Sequence, residues 1–143
     1  MILNLIEGIR QILDKEWNIP IYTDNSETSK PNFSISVPYS EEKSLMGQRC
    51  VRQIQLDIHY HPDETGNLSD CYGIAERLFE VTDIVTLPDG GNARGQNKKF
   101  EFTDGVIIFH ASFDFILTVE KERDEENLMG TIDSQTRLGV DIN

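Results

Sequence analysis

Phe100-Glu101-Phe102-Thr103-Asp104-Gly105-Val106-Ile107-Ile108-Phe109-His110-Ala111-Ser112-Phe113-Asp114-Phe115-Ile116-Leu117-Thr118-Val119 decides how the chain folds. Ile107, Phe109, Ala111, Phe113, Phe115, Leu117 and Val119 fall on every second residue, so in an extended chain they share one face, and that face must be buried. The opposite face mixes His110, Ser112, Asp114 and Thr118 with Val106, Ile108 and Ile116, which suits water or a partner. Phe100 to Thr103 alternates in the same way. The linking pair Asp104-Gly105 fits a type I′ turn, whose two central residues need positive φ. A two-residue turn there sets Thr103 opposite Val106, Phe102 opposite Ile107 and Phe100 opposite Phe109. The apolar residues of both strands then share a face without adjustment.

Upstream, Ile2, Leu5, Ile6, Ile9, Ile12, Leu13 and Trp17 recur at helical spacing, which predicts an amphipathic helix over about residues 2–16. Gly8 in its interior marks a close approach of helix to sheet, and Asn18-Ile19-Pro20 ends it, because the residue before a proline avoids helical geometry. Ile19 to Thr23 reads as a short strand and Asp24 to Asn32 as a polar loop. Phe33, Ile35 and Val37 alternate in a strand from about Asn32 to Tyr39, with Pro38 at a sheet edge or a bulge. Ser40 to Gly47 reads as a charged loop. Ile54, Leu56, Ile58 and Tyr60 alternate with Gln53, Gln55, Asp57 and His59 in a long strand over Gln48 to His61. A second helix follows with Asn67 as cap and Leu68, Cys71, Tyr72, Ala75, Leu78 and Phe79 as its inward stripe. Ile84 to Leu87 is a short strand, and Pro88 to Gly95 reads as a mobile glycine-rich loop.

After Val119 the apolar density of a core element is lost. The expected division is a folded domain over residues 1–119 and an acidic C-terminal arm over 120–143. Within the arm Leu138, Val140 and Ile142 alternate, a weak strand signal for pairing with a partner's exposed edge. That predicts an arm ordered in an assembly but not in a free subunit. The fold expected is α+β: a mostly antiparallel twisted β-sheet with two α-helices packed on one face, plus the extended C-terminal arm.

A chain of 143 residues fits one domain with a core that needs no staples. Thirteen Lys and Arg against 25 Asp and Glu leave a net charge of −12, which argues against wrapping a nucleic acid, although an acidic wall lets DNA slide past. Cys50 and Cys71 form neither a zinc pattern nor a disulfide framework and read as reduced thiols of a cytosolic fold. Met1 to Glu7 lacks the basic start of a signal peptide, and no apolar run reaches the ~18 residues of a membrane span.

Chemistry is thinly signalled. Asp57, His59 and His61 fall on one side of a strand, and with His110 they are the best metal candidate, set against the plainer reading of a solvated or interfacial face. Neither cysteine has the setting of a catalytic thiol, and no Gly-x-Ser-x-Gly elbow occurs. Gly90 to Gly95 precedes a strand rather than a helix, so it lacks the helix N-terminus that would hold a phosphate. Arg94, Lys98 and Lys99 concentrate positive charge in an acidic chain, as a docking contact would or as a solvated loop would.

Leu3 to Leu13, Ile19-Pro20-Ile21-Tyr22-Thr23-Asp24, Gln53 to Tyr60, and Asp104-Gly105-Val106 to Phe115 together resemble the tail terminator (tail completion) family of phages and phage-like particles of low-GC Gram-positive bacteria. The resemblance covers about residues 1–119. It implies a structural protein of the virion tail or phage-like particle, assembled in the bacterial cytoplasm, and not an enzyme. The implied assembly is a homo-hexameric ring that caps the tail tube, halts its polymerisation and joins the tail to the head, neck or collar. Its implied partners are further copies of itself, the tail tube protein, any sheath, and neck or connector proteins. DNA could pass the lumen without specific binding, and neither a cofactor nor a membrane is involved. Axial contacts are expected from the loops Glu41 to Gly47, with Lys43 and Met46, and Asp89 to Lys99, with Arg94, Lys98 and Lys99. Leu138, Val140 and Ile142 of the arm complete the expected contacts. The rival readings are a head-tail connector or neck ring of the same particle, and a small metal-dependent enzyme using Asp57, His59 and His61.

Overall fold

The computed structural model describes residues 1–23, 29–63, 68–121 and 136–141, with side chains as far as Thr118. Helix α1 (Ile2–Trp17) turns Leu5, Ile9 and Leu13 fully inward, as its spacing predicts. Asn18 ends it in the left-handed conformation, its N–H donating to the Asp14 carbonyl at 3.0 Å. The expected close approach at Gly8 is real: a β-carbon there would lie 2.9 Å from the Thr86 carbonyl oxygen and 3.1 Å from Val85 Cγ1. Only a residue without a side chain lets α1 rest on that backbone.

Strands β1 (Ile21–Tyr22), β2 (Asn32–Ser44) and β3 (Arg49–His61) precede helix α2 (Leu68–Val81), and β4 (Ile84–Thr86), β5 (Asn92–Thr103), β6 (Val106–Lys121) and β7 (Thr136–Asp141) follow. They form one sheet in the order β1-β2-β3-β6-β5-β4, with β7 also on β6. β1 pairs with β2 in parallel and all other pairings are antiparallel. The β5–β6 hairpin has the expected register, Thr103 with Val106, Phe102 with Ile107 and Phe100 with Phe109. Its turn carries the required positive φ, 53° at Asp104 and 77° at Gly105.

Both helices cover one face of the sheet. Ile54, Leu56 and Ile58 of β3 pair with Phe113, Ala111 and Phe109 of β6, and all six are buried beneath the helices with Phe33, Leu78 and Val85. Phe79 of α2 meets Phe109 edge-on at 5.1 Å between ring centroids, and Trp17 of α1 meets Phe33 at 5.1 Å. Arg77 of α2 reaches Glu16 of α1 at 2.7 Å, tying the helices side by side.

Four expectations need correction. The charged loop from Ser40 is strand as far as Ser44, because a bulge between Ser36 and Tyr39 lets β2 absorb Pro38 and keep pairing. The glycine-rich loop shrinks to Pro88–Gly91, since β5 starts at Asn92. Gly95 is there for contact rather than mobility: a β-carbon would lie 2.3 Å from the Thr82 carbonyl oxygen, and its N–H donates to Thr82 and Asp83 carbonyls. In α2, Cys71, Ala75 and Leu78 face inward but Leu68 and Tyr72 remain 48% and 45% exposed. Finally, Leu138 and Val140 lie in a strand whose partner is the chain's own β6, Val119 facing Leu138 and Leu117 facing Val140 in register. The physical reason is a vacated edge: β5 leaves β6 beyond Gly95 and Phe113, and β7 pairs with the stretch from Ile116 to Lys121. Ile142 and Asn67 lie outside the described residues.

Candidate functional site

The face of the sheet turned away from the helices carries most of the polar side chains that the sequence singles out. On it Val51, Gln53, Gln55, Asp57 and His59 of β3 pair with Ile116, Asp114, Ser112, His110 and Ile108 of β6. No helix covers these residues, yet they are at most half-exposed, and Asp57 and Ser112 are only 9% and 8% exposed. The sheet curls, so the side chains of neighbouring strands shield one another.

The most ordered part of this face is a row of charges. His110 Nδ1 lies 2.7 Å from Asp57 Oδ1 and His110 Nε2 lies 2.9 Å from Glu101 Oε2. Each ring nitrogen of His110 thus has its own carboxylate partner, one on either neighbouring strand. The row crosses β3, β6 and β5 and pins their register by cross-strand pairs. Beyond the Gln55–Ser112 pair, Gln53 Nε2 donates to Asp114 Oδ1 at 3.3 Å.

Asp57 points across to His110 rather than along its own strand, while the His59 and His61 rings stand 6.1 Å apart between centroids. Ser34 Oγ lies 3.5 Å from His61 Nε2. Among the described residues no three His, Cys, Asp or Glu side chains are grouped to hold a metal ion.

The expected docking cations are not brought together. A bulge between Gln96 and Lys99, with Asn97 at φ 51°, shifts the alternation of β5, so Lys98 faces the helices and Lys99 the open face. Lys98 Nζ donates to the Phe79 carbonyl near the C-terminal end of α2 at 2.8 Å and lies 3.5 Å from the Asp83 carboxylate. It is a structural cation on a helix end. Lys99 borders a polar hollow of about 330 Å³ with Gln55, Asn97 and Ser112. Arg94 borders a more apolar one of about 560 Å³ with Val51, Ile84 and Ile116, at the fork where β5 parts from β6. Lys43 is well exposed, 3.7 Å from Glu41, and Met46 is 85% exposed in the β2–β3 turn. Sequence reasoning missed the Asp57–His110–Glu101 row, although the hairpin register already placed Glu101 diagonally beside His110.

A family model described as phage tail terminator protein matches residues 4–127. The chain belongs to the phage tail terminator family. The match takes in α1 from Asn4 onward, α2, β1 to β6 and the whole open face, while β7 lies beyond it. No curated protein matches the chain. Membership makes this a structural protein of a phage tail, placed in the virion tail and in contact with other tail components. Among the described residues no helix is long and apolar enough to cross a membrane.

Proposed function

We propose that copies of this tail terminator close into a ring, six to a turn, that caps the tail tube, stops its polymerisation and presents its other side to the neck, connector or collar. The observation that supports this reading best is the open face itself, in a chain of this family. A curled sheet backed by helices on one side and lined on the other by amides, hydroxyls and self-paired charges is suited to be a wall. Asp57, His110 and Glu101 pair with one another within the face, as do Gln53 and Asp114, and among the described residues it offers no cluster of cations to hold a polyanion. With a net charge of −12, a ring of such subunits would let DNA through without gripping it.

In this reading Lys43, Met46, Arg94 and Lys99 are the assembly contacts, with further copies of the chain, tube protein, any sheath and neck proteins as partners, and residues 120–143 form an appendage to the 1–119 domain. The test is electron microscopy of particles assembled without the chain. Tails are expected to be overlong and of scattered length, and chain supplied in trans should restore one length. Tails of normal length that merely lack heads would move the chain to the neck and overturn the proposal.

A further inference from the structure

Two apolar patches sit at opposite ends of the long strands. One is the β2–β3 turn, where Leu45 and Met46 are 44% and 85% exposed and Gly47, at φ 72°, closes the loop. The other joins α2 to the β5–β6 hairpin: the Tyr72 ring lies edge-on to Phe102 at 6.4 Å and tilted against Phe100 at 6.3 Å, with Leu68 one helical turn before it. Leu68, Tyr72 and Phe102 are the positions that spacing predicts to be core and that the structure leaves 42–48% exposed. Three large apolar groups left outside together mark an interaction surface rather than scattered surface hydrophobics.

The charges around the patches are complementary. Beside the turn stand Lys43 and Arg49, and among the described residues Arg49 forms no ion pair. Around the aromatic patch stand Asp70, Glu76 and Asp104, all exposed. The two patches cannot meet within one chain. β3 runs its full length between them, Arg49 pairing near the Thr118 end of β6 and Tyr60 near the Val106 end, a span of roughly 40 Å at ~3.3 Å per residue.

We propose that the Leu45–Met46 turn of one copy seats on the Leu68–Tyr72–Phe102 patch of the next. Lys43 and Arg49 then face its acidic rim. Because one chain carries both the knob and its socket, the contact is heterologous, the type that generates rings when the rotation closes. A methionine at the knob suits a socket of aromatic rings, since its flexible thioether packs well against them. A turn of four residues cannot supply the ~800 Å² per partner of a standard interface, so it acts as the anchor of a larger contact.

This inference rests on the ring reading, and the test separates the two. Full-length Met46→Cys and Phe102→Cys variants are prepared separately, mixed and oxidised mildly. The native thiols are buried, and burial pushes both Cys50 and Cys71 up from the ordinary thiol range, so they stay silent. Covalent dimers are expected from the mixture and not from either variant alone. A Met46→Glu variant, folded because the position is exposed, should need about thirtyfold more protein to assemble, whereas Met46→Leu should assemble as wild type does. Wild-type assembly without cross-linking of the mixture overturns this contact and leaves the ring intact. Cross-linking of Met46→Cys with itself overturns it in favour of a two-fold contact. A wild-type chain that stays monomeric at every concentration overturns both.

Discussion

Phe109 is the residue on which the two halves of the core converge. It is fully buried, pairs with Phe100 and Ile58 in the sheet, and receives the edge of Phe79 from α2. Its truncation leaves a cavity that packed strands on either side cannot collapse to fill. Phe109→Ala is therefore expected to cost about 3–5 kcal/mol, a large share of a domain's total stability. Denaturant unfolding checks this: the midpoint should fall steeply with little change in slope, and a wild-type midpoint would mean that the helices do not cover this face. His110 is the next residue and stands on the opposite face, where alternation puts it. One strand thus carries the core on its odd residues and the charge row on its even ones.

At the scale of elements, the junction of β5 with the end of α2 has the least freedom. Gly95 lies against the Thr82 backbone, and Thr82 is itself held by a 2.7 Å bond from its hydroxyl to the Leu78 carbonyl. The obstructing atom belongs to the main chain, so Gly95→Ala should destabilise by about 1–3 kcal/mol and speed amide exchange at the end of α2 first. Unchanged exchange there would show that the strand can slide aside. The same junction explains what the sequence conceals. The helices and the β5–β6 hairpin were legible, because each has a full apolar period and, in the hairpin, a turn whose chemistry agrees with its register. β5 beyond Phe100 was not, because Asn92 to Lys99 alternates small and polar side chains over a bulge, and its glycine looks like a hinge. The exposure of Leu68 and Tyr72 was hidden for another reason. Helical spacing says which residues share a stripe and not how much of the stripe the sheet is wide enough to cover. The charge row was half visible, since His110 and Asp57 each stood on a polar strand face but only the β3–β6 pairing sets them opposite one another.

For the whole molecule, the features fit a part made to be assembled. The helices seal one face, the other is curled and crossed by a row of side chains paired with one another, and the ends of the long strands carry apolar groups of opposite surroundings. The family match adds the place where such a part works, a phage tail. The central claim, that this chain ends tail growth, is open to one direct measurement: purified tail tube protein elongating in solution, followed by light scattering, with the chain added in amounts far below the tube subunit. Growth is predicted to stop once each growing end has received one ring, with the chain seen at tube ends by electron microscopy. Continued elongation at an undiminished rate, with the chain absent from the ends, would contradict the account.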